Sequence, residues 1–456
     1  MMMRQAKPSR ADEGGIRGNR KSVRLHARTL ILAAIALVTA ALSGGTVDEA
    51  VEALWKFVSP QGLLYDFIGD VPTPQDCAEN RPNAMGYWCP IENGPMFTGP
   101  FLQAMALRAK RTRDPEDARR CCVLAEGLLL LASVSDEPGF VARGVGTDGK
   151  CHFPIGGPDQ TVPWFLGLDA YLHSGLCDAA LKARIVAKLK EVGEALAAAD
   201  WRPPMEAPFK GEKAGPLYKG SLPFRAATQY LFCLRALADA TGEEKWKAAY
   251  RRTLGLRFPR PEAGGLTYLQ ICELGCGHDQ EVKKSFKVAP NGLWIYVGCA
   301  QGCLATLAER EEDAAVKQKL RTGLARSADY ARSSMALYKG YPNIAERPFK
   351  YANWRAGWNW WPQKTLAEVR AVSSNTNRNR KVLGQRKDVE RKTMTAPLSA
   401  AAICAYAGKY REEVLAALSH YDYSTIALSE FYAAPLAYEL VNRKEQQEAK
   451  EGKVSK

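Results

Sequence analysis

The chain has 456 residues, 46% of them hydrophobic and 25% charged, with 63 Lys and Arg against 49 Asp and Glu. That length and balance suit one large globular domain or two ordinary ones. They exclude global disorder, collagen-like repeats and a small disulfide-stapled scaffold. The formal net charge of +14 is unevenly spread, and two segments hold most of it.

The first is the N-terminus. Residues 1–28 carry eight Lys and Arg against Asp12 and Glu13, and the apolar run Thr29–Leu42 follows. The run is about 14 residues, short of the roughly 20 that span a bilayer. It ends in Ser43, Gly44 and Gly45. A basic region, a short apolar core and small residues read as a signal peptide over residues 1–44, and so as a secreted or periplasmic protein. The alternative is an uncleaved single-pass anchor, the one case in which a membrane is a partner.

Residues 46–442 read as one all-α domain of helical hairpins in series. The first tight turn has Asp114 as N-cap and Pro115 at the first helical position. The second runs from Ser174 to Asp178. The third is Thr241-Gly242-Glu243-Glu244, read as a capping box. The fourth lies at Glu311-Glu312-Asp313 and the fifth at Gly408–Glu412. Repetition of hairpins predicts a helical array of roughly twelve helices. The flanking helices are expected at Val47–Val58 and Thr425–Asn442. Only Gly265–Glu273 alternates like a strand. The second basic segment, residues 370–392, has eight Lys and Arg against Asp388 and Glu390 and reads as a solvated insertion loop. The tail, residues 443–456, is charged and expected to fray.

Between the tight turns lie long connections: Met85–Pro95, Gly139–Asp159, Trp201–Ser221, Gly264–Asn291 and Tyr341–Trp361. Their alternation with tight turns puts all of them at one end, around a single concave mouth. They carry the polar and aromatic groups of a sugar site. Asp159 and Glu92 form the candidate carboxylate pair, with His152 as the alternative acid/base. Arg143, Lys219 and Arg225 suit an acidic group on the ligand, beside Gln160. Trp88, Trp164, Trp294 and Trp358 offer faces for sugar rings. Asp159 opens a helix, where the dipole favours its charged form, whereas a proton donor needs that tendency opposed.

Other chemistries are set aside. Gly144–Cys151 spells G-x-x-x-x-G-K, but Cys151 stands where a phosphate loop needs Ser or Thr, and Asp148 repels phosphate. The basic segments lack interleaved aromatics and a DNA-binding motif, so nucleic acid is not an expected partner. There is no H-E-x-x-H or G-x-S-x-G motif. The twelve cysteines include two C-x₃-C pairs, Cys272/Cys276 and Cys299/Cys303, read as disulfides or core thiols rather than a metal centre. No metal and no cofactor is expected.

Asp159-Gln160-Thr161-Val162-Pro163-Trp164, running into Gly167-Leu168-Asp169-Ala170-Tyr171-Leu172, resembles the six-hairpin (α/α)₆ toroid glycosidases. The nearest members are the unsaturated glucuronyl and rhamnogalacturonyl hydrolases. In those enzymes an acidic residue, often one of two, opens such a helix, and the residue before Asp159 here is Pro158. The resemblance implies a toroid fold, with Asp159 donating a proton to an unsaturated uronic acid and activating water. The resulting expectation is an exported glycoside hydrolase whose partner is an acidic polysaccharide or oligosaccharide. Two rivals stand beside it. A polysaccharide lyase on the same toroid would use His152 or Tyr218 as base and Arg225 as charge neutraliser. A non-catalytic glycan-binding or envelope scaffold protein would need no catalytic group.

Overall fold

The hairpin turns carry the helix-stop and helix-start chemistry that separates one helix from the next, and the computed structural model places them accordingly. It describes residues 46–212, 214–282, 293–344, 354–355, 360–378 and 384–454, except the side chains at 280–282, 293–294, 374–378, 384–385 and 444–454. The expected leader, residues 1–44, and Trp358 lie outside the described residues, as does the side chain of Trp294.

The chain is all-α. Its helices are α1 (Val47–Trp55), α2 (Pro74–Ala78), α3 (Gly94–Thr112), α4 (Pro115–Leu131), α5 (Pro158–Leu172), α6 (Ala179–Ala198), α7 (Pro223–Thr241), α8 (Glu244–Gly255) and α9 (Tyr268–Leu274). They continue with α10 (Gly277–Val282), α11 (Leu293–Arg310), α12 (Ala314–Met335), α13 (Leu366–Arg378), α14 (Gly384–Glu390), α15 (Ala396–Ala407), α16 (Arg411–Leu418) and α17 (Ala433–Val454). Among the described residues, extended pairing is confined to isolated bridges such as Phe67 with Leu428 and Ile155 with Met205.

The turns at Asp114, Asp178 and Asp313 are capped as expected, each carboxylate accepting a backbone N–H of the next helix. The turn at 241–244 exists, but the capping box there does not form. Thr241 is the last residue of α7, Gly242 takes the left-handed cap at φ 69°, and Glu243 is a cap without a side-chain bond. The strand expected at Gly265–Glu273 is also corrected. A true capping box, Thr267 with Gln270, starts α9 inside that stretch, and local capping outweighs the short alternation. Helix α1 ends earlier than expected, and 3₁₀ turns occupy residues 423–425 and 429–432 before α17 begins. The tail expected to fray is helical through Val454.

Helix α3 packs on α5, α5 on α7, α7 on α11, α11 on α15, α15 on α17, and α17 on α3. A second set lies on these: α4 on α3, α8 on α7, α12 on α11 and α15, α16 on α15, and α1 on α17. The close crossing of α3 on α5 depends on two glycines. A Cβ on Gly99 would stand 2.0 Å from the Pro163 carbonyl oxygen, and one on Gly167 would stand 2.6 Å from the Gly99 Cα. The core fills with apolar side chains from the first set, including Phe97, Phe101, Phe165, Phe224 and Phe232.

The basic insertion loop is corrected where residues 370–392 are described. Residues 366–378 and 384–390 are helical, and a π-turn at Arg391–Thr395 joins α14 to α15. Lys387 is only 4% exposed. Arg386 pairs with Glu390 at 2.8 Å, and Arg391 pairs with Glu430 at 2.5 Å. Glu390, one turn along the same helix, holds Arg386, and Glu430 from elsewhere in the fold holds Arg391.

Candidate functional site

The N-terminal ends of α3, α5 and α7 face the long connections, and those connections bind one another. The Gly94 N–H at the start of α3 donates to the Arg143 carbonyl at 2.8 Å. At the start of α7 the backbone N–H groups of Phe224 and Arg225 donate to the Asp279 carboxylate at 2.7 and 3.3 Å. The Trp360 indole donates to the Asn80 carbonyl at 2.9 Å, and Ala84 N–H donates to the Gln363 side chain at 2.9 Å.

Arg143 is the centre of this arrangement, and it is 3% exposed. Its Nε donates to the Ile155 carbonyl and its Nη1 to the Glu92 carbonyl, both at 3.2 Å. Its Nη2 lies 3.3 Å from Oδ2 of Asp159. Gln160 Nε2 donates to the same Asp159 oxygen at 3.1 Å and to Asn93 Oδ1 at 3.3 Å. Asn93 in turn donates its backbone N–H and side-chain amide to the two oxygens of Asp66, at 2.9 and 2.6 Å. One hydrogen-bonded path therefore joins Asp159 to Asp66. The Oε1 atom of Gln160 is buried with no hydrogen-bond partner among the described residues.

The two carboxyls are driven in opposite directions. Burial alone would raise the Asp159 carboxyl, but the Arg143 and Arg225 guanidinium groups and the Gln160 amide outweigh it and hold Asp159 below the usual carboxylate range. Asp66 is raised well above that range, first by burial and then by the neighbouring Glu92 carboxylate, which its bonds from Asn93 do not offset. Glu92 accepts the Trp88 N–H at 2.8 Å, so both its side chain and its carbonyl belong to this cluster.

Two aromatic rings carry the arginines. Arg143 lies 5.4 Å from the centre of the Tyr87 ring, and Arg225 lies 4.3 Å from that of Tyr296. Arg225 Nε donates to Gln229 at 3.3 Å. On the other side Lys387 Nζ sits 3.2 Å from the centre of the Trp88 ring. Burial, then the Arg391 charge, push this amine well below an ordinary lysine, although Glu92, Glu430 and Asp66 pull the other way. Glu430 accepts from Arg391 and, at 2.6 Å, from the Thr395 hydroxyl.

The fold thus brings together Asp159, Glu92, Arg143, Gln160, Arg225 and Trp88. It places three other expected residues elsewhere. Trp164 is fully buried, donates to the Leu128 carbonyl at 2.7 Å and packs edge-on to Phe165, so it is a core residue rather than a sugar platform. His152 bonds Glu206 at 3.0 Å and the Lys150 carbonyl at 2.8 Å, which ties two connections together. Lys219 lies 5.4 Å from the Tyr218 ring centre, and its carbonyl accepts from Arg260. The C-x₃-C cysteines are free buried thiols.

Sequence reasoning missed Asp66, Asn93, Lys387 and Glu430. Asp66 had a legible signal, a lone carboxylate inside the apolar run Leu63–Ile68. Lys387 had none, because a basic stretch normally means a solvated face.

The expectation of a single concave site is also corrected. A cavity of about 900 Å³ opens at the tight-turn end, among the C-terminal turns of α3, α5, α11 and α15. The rise along α5 puts it about 20 Å from Asp159. The chain matches no known family model, no curated protein and no solved structure.

Proposed function

We propose that the chain is a carbohydrate-active enzyme, a glycoside hydrolase built as a six-hairpin (α/α)₆ toroid and acting on uronic-acid-containing glycans at the loop end. The order of helix packing, with α17 returning to α3 and a second set of helices laid on the first, supports the toroid. The observation that carries the chemistry is the hydrogen-bonded path through Gln160 and Asn93 that links two carboxyls driven in opposite directions, Asp159 below the usual carboxylate range and Asp66 well above it.

In this reading Asp159 is the general base. It takes a proton from water as the water oxygen bonds to the anomeric carbon and the glycosidic C–O bond breaks. The departing oxygen receives a proton from the Asp66–Glu92 side of the cluster, where two neighbouring carboxyls favour retention of one proton. This reverses the donor role that the resemblance implied for Asp159, because Arg143 and Arg225 keep that carboxyl charged. Arg225, stacked on Tyr296, holds the uronic carboxylate, and the Tyr87 and Trp88 faces border the sugar.

A second reading, a polysaccharide lyase, is favoured by one observation. Lys387 is a buried amine beside Arg391, suited to abstract the proton next to a uronic carboxylate. The test is incubation of the full chain with uronic-acid glycans and their lyase-cut unsaturated oligosaccharides, following reducing ends and ultraviolet absorbance. New reducing ends with loss of absorbance on the unsaturated oligosaccharides, abolished in Asp159→Asn, support the hydrolase. An absorbance gain abolished in Lys387→Met supports the lyase. Saturable binding with no turnover of any substrate sinks both and leaves a glycan-binding protein.

A further inference from the structure

The cavity at the tight-turn end is lined by seven Lys and Arg side chains and by two acids, Glu309 and Glu439. Four of the cations are engaged. Arg111 forms a two-pronged pair with Glu439 at 2.8 and 2.7 Å. Arg310 does the same with Asp169 at 2.9 and 2.7 Å and also meets Asp239. Arg443 pairs with Glu309, and Lys317 donates to the carbonyls of Glu309 and Glu311 at 3.3 and 3.0 Å. These bonds use both lining acids and cap the carbonyl end of α11.

Three cations remain. Lys110, Arg113 and Arg321 line the same cavity, are exposed, and have no carboxylate partner among the described residues. They come from two different elements, the end of α3 and the start of α12. Hydroxyl and amide groups lie among them: Tyr406 donates to Gln103 at 2.6 Å, and Ser174 and Thr306 also face the space. A polar cavity of this size exceeds a single hexose and suits an oligosaccharide-sized ligand. Three exposed positive heads lining it favour a ligand that carries several separated negative groups.

We infer that this cavity is a second binding site, for a small polyanion bearing sulfate, phosphate or carboxylate groups on a hydroxylated frame. It is independent of the Asp159 cluster, which lies at the opposite ends of the same helices. The engaged arginines shape the walls, and the three unengaged cations select the charge.

The test is calorimetric titration of the full chain with inositol hexakisphosphate and, separately, with sucrose octasulfate, using sucrose as the neutral control. The expected result is saturable binding of at least one polyanion and none of sucrose. Affinity should fall at least tenfold in a Lys110→Gln/Arg113→Gln/Arg321→Gln variant and stay unchanged in Asp159→Asn. Which polyanion binds identifies the group class. Absence of saturable binding to both, or equal binding by the triple variant, overturns the inference. The three positions are exposed and carry no structural pair among the described residues, so thermal melting of the triple variant should match wild type.

Discussion

Arg143 and Asp159 meet at 3.3 Å inside a group of long connections, and that contact, with Arg225 and Gln160, holds the carboxylate most suited to chemistry below its usual range. Arg143 is also tied to the carbonyls of Glu92 and Ile155, so it fixes where the carboxylate stands as well as how it titrates. Removing one partner of a buried pair leaves the other charge uncompensated. Arg143→Met should therefore cost about 3–5 kcal/mol of stability, read by denaturant unfolding. Asp159→Asn, at a partly open position, should cost less and abolish turnover. Equal stability losses from the two would show that Arg143 does not organise the site.

The pH dependence of stability has opposite signs at the two carboxyls. Asp159 is depressed in the folded state, so its contribution is present above about pH 4 and is lost as pH falls through the folded value. Asp66 is raised, so above about pH 4 the unfolded chain gains by ionising while the folded chain does not. Stability should decline from there toward the folded value of Asp66. Denaturation curves of Asp66→Asn should lack that decline, and an unchanged slope would mean that Asp66 ionises in the fold as it does in water.

His152 should behave as a tie rather than a catalyst. Burial would lower its imidazole, but the Glu206 carboxylate and the Lys150 carbonyl raise it. Its stabilisation is complete below about pH 6.5 and fades as pH rises through the raised folded value. His152→Gln should remove that pH-dependent step in thermal melting and leave kcat within a few-fold. Loss of turnover at full stability would restore His152 to the catalytic set.

Trp164 offers a contrast between core and ligand surface. Trp164→Ala should cost about 3–5 kcal/mol, since a fully buried indole and its bond to Leu128 are both lost. Where the variant remains folded, KM should be unchanged. Trp88→Ala should do the reverse, raising KM with a smaller loss of stability.

Lys387 separates the two enzymatic readings. Met keeps the length of the Lys387 chain beside the Trp88 ring without the cost of burying an amine. Lys387→Met should remain folded, as read by thermal melting. Hydrolysis should survive it within a few-fold, whereas elimination could not.

The sequence by itself determined the all-α class and the tight turns, because turn chemistry is local. Asp114, Asp178 and Asp313 cap helices through atoms two or three residues away, and apolar spacing marks the faces that must be buried. It also brought forward Asp159, Glu92, Arg143 and Arg225, since polar groups in long connections are conspicuous. Tertiary structure alone decided how the two linked carboxyls, Asp159 and Asp66, are driven. Asp159 is held below the usual carboxylate range because its connection folds Arg143 back onto it and α7 brings Arg225 near, and Asp66 is raised above that range because it is buried beside Glu92. Tertiary structure also moved Trp164 into the core and Lys387 out of solvent, although one looked like a platform and the other like part of a soluble loop. Burial and charge pairing depend on neighbours tens to hundreds of residues away, as between Arg391 and Glu430 or Arg310 and Asp169. Chain closure sets those distances, and no local pattern encodes them.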